Sequence, residues 1–169
     1  RIRPATIKEI MDGVKYNIEE TIDTFEKFYQ IKNNNILSSI YYHLSIDYGM
    51  GNLGFKINKD ILNEINSINI SGIITHFPEI IDINQQQFTQ LNKQIINIKS
   101  IYNKNKLIFH CCNTENYMQH GNLLSYDMVR IGKLQYGIIK NNLNLQPVIQ
   151  WECYPVSIRS HKKGDTISY

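Results

Sequence analysis

The sequence has few of the features that mark secreted, membrane-spanning or nucleic-acid-binding proteins. Only 3 of its 169 residues are cysteines, and Cys111 and Cys112 are adjacent, which suits a disulfide poorly. No run approaches the roughly 18 uninterrupted apolar residues of a membrane span, and Arg1–Ile10 lacks the pattern of a secretion signal. A net charge of +3 is too small to indicate a nucleic-acid or anionic-membrane surface. We therefore predict a protein of the reducing cytoplasm.

Apolar spacing predicts an alternation of helices and strands. Helices are expected where apolar residues recur every three or four positions, and strands where β-branched residues run together. The predicted helices are Ile18–Phe28, Ile57–Ile65 and Phe88–Ile98, and Glu19, Glu20, Asp23 and Glu26 should face away from the apolar side of the first. The predicted strands are Gly13–Tyr16, Ile36–Ile46, Ile68–Thr75, Lys106–Cys112 and Met128–Tyr136.

This order predicts an α/β fold in which helices cover a parallel sheet, as in a TIM barrel or a doubly wound sheet. A closed eight-unit barrel needs roughly 250 residues, so a barrel here would lack its first units and the chain would be a fragment. After Pro147 the runs Val148–Ile158 and Thr166–Tyr169 predict two strands with no helix between them. We therefore expect an α/β domain at residues 1–145 and the beginning of a β domain at residues 146–169.

Three short motifs carry chemistry, and each also has an ordinary structural explanation. The glycine loop from Asp47 to Gly54 could cradle a phosphate or simply connect a strand to a helix. His76, at the end of a predicted strand, could be a catalyst or a hydrogen-bonded core residue. His110, Cys111 and Cys112 could suggest a metal site, but side chains alternate along a strand and no second ligand pair has suitable spacing. We therefore predict no metal site.

The order of these motifs resembles that of the alanine racemase family. The segment His43–Phe55, HLSIDYGMGNLGF, is similar to the family signature. Further similar segments follow in the family's order: Gly72–Phe77, Phe109–Thr114, Met128–Gly132 with Tyr136–Gly137, and Lys163–Tyr169. Each segment alone is weak evidence, whereas the ordered set is specific. The resemblance implies the second part of a TIM (β/α)8 barrel followed by the start of a C-terminal β domain.

The resemblance also implies an activity, the interconversion of L-alanine and D-alanine with pyridoxal 5′-phosphate, which supplies D-alanine for peptidoglycan. In the family two bases act on opposite faces of the substrate, a lysine that holds the cofactor and a tyrosine, here Tyr169. A hydrogen-bond chain would connect Tyr169 to His76 and His76 to Arg130, and Arg130 would face the pyridine nitrogen. The lysine would lie upstream of Arg1, and a homodimer would complete each site.

The other cofactor contacts that the resemblance implies are Asn113, Thr114, Gly132, Lys133 and Asn52. At the position of Asn52 the family usually has an arginine, and at that of Ser45 often a carbamylated lysine. A neutral amide stabilises a phenolate less than a charged partner does, by on the order of 1 kcal/mol. We therefore expect weakened activity. Two alternatives stay open: a non-catalytic remnant or split-gene piece, and a racemase of another amino acid such as serine.

Overall fold

The computed structural model describes residues 3–51, 53–78, 86–104, 106–139 and 143–167. The chain divides into two units, Arg1–Gly132 and Lys133–Tyr169. In the described part of the first unit the helices are α1 (Ile7–Val14), α2 (Phe25–Lys32), α3 (Lys59–Glu64), α4 (Gln86–Ile101) and α5 (Thr114–His120). The strands are β1 (Glu20–Ile22), β2 (Tyr41–Ile46), β3 (Asn69–Thr75) and β4 (Ile108–His110).

The four strands form one parallel sheet in the order β1-β2-β3-β4. Paired residues point to the same side of a sheet, and successive residues point to opposite sides. On one side, strand residues such as Leu44, Ile73 and Phe109 share a buried core with apolar residues of the helices. The other side, which we call the polar side, carries Thr21, His43, Ser45, Gly72, Ile74 and His110. Helices thus cover one side of the sheet, as in part of a barrel wall.

Most of the described helices begin at a side-chain cap, which explains where they start. Thr6 forms a capping box with Glu9 at the start of α1. Thr24 Oγ1 accepts a hydrogen bond from the backbone N–H of Lys27, and Asn58 Oδ1 accepts one from Ile61. Asn113 caps α5 in the same way. These caps satisfy backbone donors that the first turn of a helix leaves without a partner.

The sequence prediction is wrong at the amino-terminal end. The helix expected at Ile18–Phe28 is instead strand β1 followed by α2, because Thr24 is extended and caps a helix that begins at Phe25. Glu20, expected to face away from the core, is fully buried. The strand expected at Gly13–Tyr16 is also wrong, because Gly13 and Val14 belong to α1 and the residues after Val14 form the turn that ends it.

The later predictions are largely confirmed. Strands β2, β3 and β4 lie within the segments expected for them, although a 3-10 turn at Leu37–Ser39 shortens the first. Helices α3 and α4 also lie where apolar spacing indicates them. Met128–Tyr136 is not a strand, because within it only Val129 makes a bridge, to Cys112, and a turn follows at Lys133. The described part of the chain has no helix with the length and apolar character needed to cross a membrane.

In the second unit, residues 143–167 contain no helix or strand. The strand expected at Val148–Ile158 is therefore not found, since these residues are exposed and form no ladder with a neighbour. A turn at Lys162 is closed by a hydrogen bond from the N–H of Asp165 to its carbonyl, at 3.1 Å. Residues 168–169, the end of the second expected strand, lie outside the described residues. The division into domains at residues 145 and 146 stays a prediction.

Candidate functional site

A cavity of about 280 Å³ lies where the carboxyl ends of β2 and β3 meet on the polar side of the sheet. In parallel sheets this edge commonly holds the functional site, because the loops that follow the strands converge there. Among the residues that line the cavity are Arg3, Ser45, Asp47, Thr75, His76 and Arg130. Three of these, Ser45, His76 and Arg130, are residues that the sequence analysis singled out.

The glycine loop folds back onto the end of β2. The carboxylate of Asp47 accepts hydrogen bonds from the N–H groups of Gly49, at 3.2 Å, and Gly51, at 3.0 Å. Beyond the loop, Phe55 donates to the carbonyl of Ser45 at 2.9 Å and accepts from the N–H of Asp47 at 3.0 Å. The loop is therefore held at both ends. Asn52, predicted to contact the cofactor, lies outside the described residues.

Arg130 ties the ends of β3 and β4 together. Its guanidinium donates to the carbonyl of Thr75 at 2.9 Å, to the carbonyl of His110 at 2.8 Å and to His110 Nδ1 at 2.9 Å. Its backbone N–H donates to the carbonyl of Cys112 at 2.9 Å. Burial lowers the pKa of the guanidinium, but an arginine stays charged at neutral pH. The site therefore holds a fixed cation whose direction is set by two strand ends.

His76 lies beside this cation, as the resemblance implies. One guanidinium nitrogen of Arg130 lies 3.4 Å from His76 Nδ1. Burial and the charge of Arg130 lower the pKa of His76, so the ring is neutral at pH 7. A guanidinium can only donate, so Nδ1 accepts and the ring proton is assigned to Nε2. His76 therefore has a donor to offer on the side away from Arg130.

His110 is a further site residue, which the local sequence pattern presents only as a candidate metal ligand. It is buried on the polar side of the sheet and accepts from Arg130 through Nδ1. Burial and the nearby charge of Arg130 lower the pKa of His110 to about 3. Its alternation with the core residue Phe109 was a usable signal, because it places His110 on the side opposite the helices.

Asn113, Thr114 and Gly132, which the family resemblance implies as cofactor contacts, lie close together. Asn113 accepts from the N–H of Asn116 at 2.9 Å, and Thr114 Oγ1 accepts from the N–H of Gly132 at 3.0 Å. A Cβ built on Gly132 would meet no atom within 4 Å, so the space beside its backbone is open. Lys133 belongs to the second unit, and Tyr169 lies outside the described residues.

Comparison with known proteins gives consistent results. The family described as "Alanine racemase, N-terminal domain" matches residues 2–140. An alanine racemase from Leptospira interrogans is 31% identical over an alignment of 148 positions, which covers 75% of this chain and 38% of that protein. A lysine racemase from Proteus mirabilis is 26% identical over an alignment of 193 positions, gaps included, which covers 100% of this chain and 44% of that protein. The chain thus spans less than half the length of these relatives.

Solved structures show the same fold. An alanine racemase from Bacillus anthracis with bound L-Ala-P has a TM-score of 0.65 at 20% identity, covering 91% of this chain and 42% of that one. An alanine racemase from Bartonella henselae with covalently bound pyridoxal phosphate has a TM-score of 0.56 at 16% identity, with coverage of 79% and 40%. The α/β architecture with a parallel sheet therefore corresponds to part of a barrel in those proteins.

Proposed function

Because the chain belongs to the family of the alanine racemase N-terminal domain, we propose that it is part of an enzyme that interconverts L-alanine and D-alanine. The observation that carries the proposal is the position of Arg130. Its buried guanidinium stands at the cavity beside His76 and is fixed by the ends of two strands. A fixed cation beside a neutral imidazole is an arrangement suited to holding a proton in a defined place.

The residues around the cavity fit pyridoxal 5′-phosphate, which we propose as the cofactor. Arg130 can face the pyridine nitrogen, and the hydroxyl of Thr114 with the open backbone at Gly132 suits an anionic group. When bound, this cofactor makes the Cα proton of an amino acid acidic by delocalising the charge left behind. None of the described residues that line the cavity is a lysine. By the resemblance, the lysine that holds the cofactor lies upstream of Arg1.

Arg130 would control how strongly the cofactor ring withdraws electrons. A guanidinium donates hydrogen bonds at neutral pH without giving up a proton. Arg130 would therefore offer the pyridine nitrogen a hydrogen bond without giving it a proton. Weaker electron withdrawal favours return of the proton to Cα over competing reactions. A racemase needs this preference for returning the proton to Cα.

Tyr169 is proposed as one of the two bases, and His76 as the residue that activates it. A phenol has a reference pKa of about 10 and is a poor base at neutral pH. His76, which carries its proton on Nε2, would donate a hydrogen bond to the phenolate and so favour the anion. Burial and the charge of Arg130 hold the pKa of His76 below its ordinary value, and the contact with Arg130 fixes the position of the ring proton.

We further propose a cytoplasmic homodimer that supplies D-alanine for the cell wall. The support for this is the resemblance, in which the partner subunit completes each site. A second candidate is racemisation of a different amino acid, because a lysine racemase is similar to the whole chain. The first experiment should therefore compare amino acids with different side chains.

Exchange of the α proton in deuterated water tests the proposal. Full-length protein carrying this chain is first loaded with pyridoxal 5′-phosphate. Each sample then receives one amino acid, the L or the D form of alanine, serine or lysine. Loss of the α-proton NMR signal reports which amino acids react. We expect exchange with both forms of alanine. Tyr169→Phe should abolish exchange of L-alanine and spare that of D-alanine, which occurs through the lysine.

Tyr154→Phe is a matched control, because Tyr154 is exposed and carries the same ring. It should leave both exchange rates unchanged. Equal exchange of both isomers in Tyr169→Phe would contradict the assignment of the tyrosine. Exchange with lysine or serine but not alanine would support the second candidate. An absence of exchange with every amino acid would indicate a remnant without catalysis.

A further inference from the structure

A row of polar side chains continues from Arg130 across the polar side of the sheet. His110 Nε2 lies 2.7 Å from His43 Nδ1, and His43 Nε2 lies 2.9 Å from a carboxylate oxygen of Glu19. The same oxygen of Glu19 accepts from the hydroxyl of Ser71 at 2.8 Å. The row therefore links a cation at the cavity to an anion three side chains away.

The direction of every hydrogen bond in this row follows from its two ends. Arg130 can only donate, so His110 accepts through Nδ1 and carries its proton on Nε2. His110 then donates to His43 Nδ1, which places the proton of His43 on Nε2. His43 in turn donates to Glu19. No other assignment gives each of these short contacts one donor and one acceptor while both rings stay neutral.

The charges along the row agree with this assignment. Burial lowers the pKa of His110 to about 3 and also lowers that of His43, although Glu19 acts against the latter shift. The pKa of Glu19 lies below its ordinary value. Burial acts to raise this pKa, but the hydrogen bonds from Ser71 and His43 together lower it by more. At neutral pH the row thus contains a cation, two neutral rings and an anion.

Gly72 supplies independent evidence that this row is built into the sheet. Gly72 is the register partner of His43, and its φ lies outside the left-handed region. A Cβ on Gly72 would come within 2.6 Å of two atoms of the His43 ring and 2.8 Å of the carbonyl oxygen of Ile108. Glycine weakens a strand interior by roughly 0.5–1 kcal/mol relative to alanine. Its presence here is explained by the space that it leaves for the His43 ring to reach His110.

We propose that Glu19 and His43 are positioning residues for Arg130, which they hold through His110 in the orientation that the cavity requires. The proposal deepens the racemase function and rests on it for its catalytic meaning. None of the described residues that hydrogen-bond to Arg130 carries a negative charge. Glu19 supplies one through the two aligned rings. A ring flip of either histidine would break two hydrogen bonds at once. The row therefore restricts the orientation of Arg130 more than the direct contacts of Arg130 would alone.

Nitrogen-15 NMR of the histidine rings tests the row directly. In the purified full-length protein at pH 7 we expect Nδ1 of both His43 and His110 to give the shift of an unprotonated nitrogen. Both Nε2 atoms should carry a proton. A proton on Nδ1 of either ring, or a doubly protonated ring, would overturn the proposal whether or not the protein is an active racemase.

His43→Leu removes the acceptor for His110, whereas His43→Gln offers an oxygen that accepts and an NH₂ that donates. We expect the leucine variant to speed solvent exchange of the His110 ring proton and to shift the guanidinium resonances of Arg130. The glutamine variant should restore both signals. A matched control is His161→Leu, whose side chain lies in the second unit. Unchanged guanidinium resonances in His43→Leu would also overturn the proposal.

The exchange assay separates this role from that of a base. A positioning residue for Arg130 should affect both isomers alike, so His43→Leu should slow α-proton exchange of L-alanine and D-alanine equally, by about tenfold. His43→Gln should recover most of this loss. A loss confined to one isomer would contradict positioning. Because the NMR measurements need no turnover, they keep their meaning if the proposed activity fails.

Discussion

Gly54 lies against the backbone of Asp47, where the glycine loop returns to strand β2. A Cβ on Gly54 would stand 2.5 Å from the nitrogen of Asp47, and the φ of Gly54 is +112°. Both the close approach and the backbone conformation require glycine here. Gly51 also has a positive φ, +66°, but a Cβ there would meet nothing within 4 Å.

The pair of glycines gives a matched test of this contact. We expect Gly54→Ala to reduce the free energy of unfolding by about 3 kcal/mol, because it adds a backbone clash to a strained φ. Gly51→Ala should cost about 1 kcal/mol, from the φ alone. Urea denaturation followed by circular dichroism measures both. Equal losses of unfolding free energy in the two variants would show that the close approach to Asp47 does not contribute to the requirement for glycine.

Thr114 offers a test of the proposed phosphate site. Thr114→Val keeps the shape of the side chain and removes the oxygen that accepts from Gly132. We expect stability to fall by about 1 kcal/mol and affinity for pyridoxal 5′-phosphate, titrated by absorbance, to fall about tenfold. Thr24→Val removes the cap of α2 and should lower stability by about the same amount. It should leave cofactor affinity unchanged, and an equal loss of affinity in both variants would argue against the site.

The buried histidines make stability depend on pH. His110 has a pKa of about 3 in the folded protein against an ordinary value of 6.5, so between these values the unfolded chain binds more protons. Stability therefore falls as pH falls from about 6.5, with a slope of at most about 1.4 kcal/mol per pH unit for each such proton. The lowered pKa values of His43 and His76 act in the same direction.

Urea denaturation at pH 7.5, 6 and 5 measures this slope. The range avoids the strongest carboxylate effect, because Glu9, with a pKa of about 2 against 4.5, loses its contribution only at lower pH. We expect a clear decrease in stability from pH 6 to pH 5. A flat profile over this range would show that the histidines titrate as they do in an unfolded chain.

The three cysteines should differ sharply in reactivity. Cys111 and Cys112 are buried, and burial raises the pKa of both thiols, whereas Cys153 is exposed. A thiol reagent that reacts with the thiolate should therefore modify one cysteine quickly in the native protein and all three in urea. Cys153→Ser should remove the fast reaction. Fast modification of two thiols in that variant would contradict the burial of Cys111 and Cys112.

The sequence predicts the central strands and helices well and the first ones poorly. Strands β2 and β3 have 6 and 7 residues, half or more of them β-branched or aromatic, and α4 has 16 residues with regular spacing, so local pattern and final structure agree. Strand β1 has only three residues, and the spacing of Ile18 and Ile22 fits a helix equally well. What decides this segment is pairing with β2, which spacing along the chain does not reveal.

The candidate site is predictable only in part. The resemblance indicates that His76 and Arg130 meet, although 54 residues separate them. The local sequence pattern does not predict this contact, because it depends on where the chain after α5 places Arg130 relative to the ends of β3 and β4. Glu19, His43 and His110 were missed for a similar reason. Their alignment depends on the register of four strands and on the missing side chain of Gly72.

Strand β3 contains one residue more than its pairing with β2 requires. Tyr42 pairs with Ile70 and His43 with Gly72, so Ser71 has no partner across the strand. The extra residue leaves the buried side and the polar side unchanged on either flank. Its hydroxyl contacts both Glu19, at 2.8 Å, and the carbonyl of Tyr42 on β2, at 3.2 Å. A single bulged residue thus gives the sheet the hydroxyl that fixes the anion at the end of the histidine row.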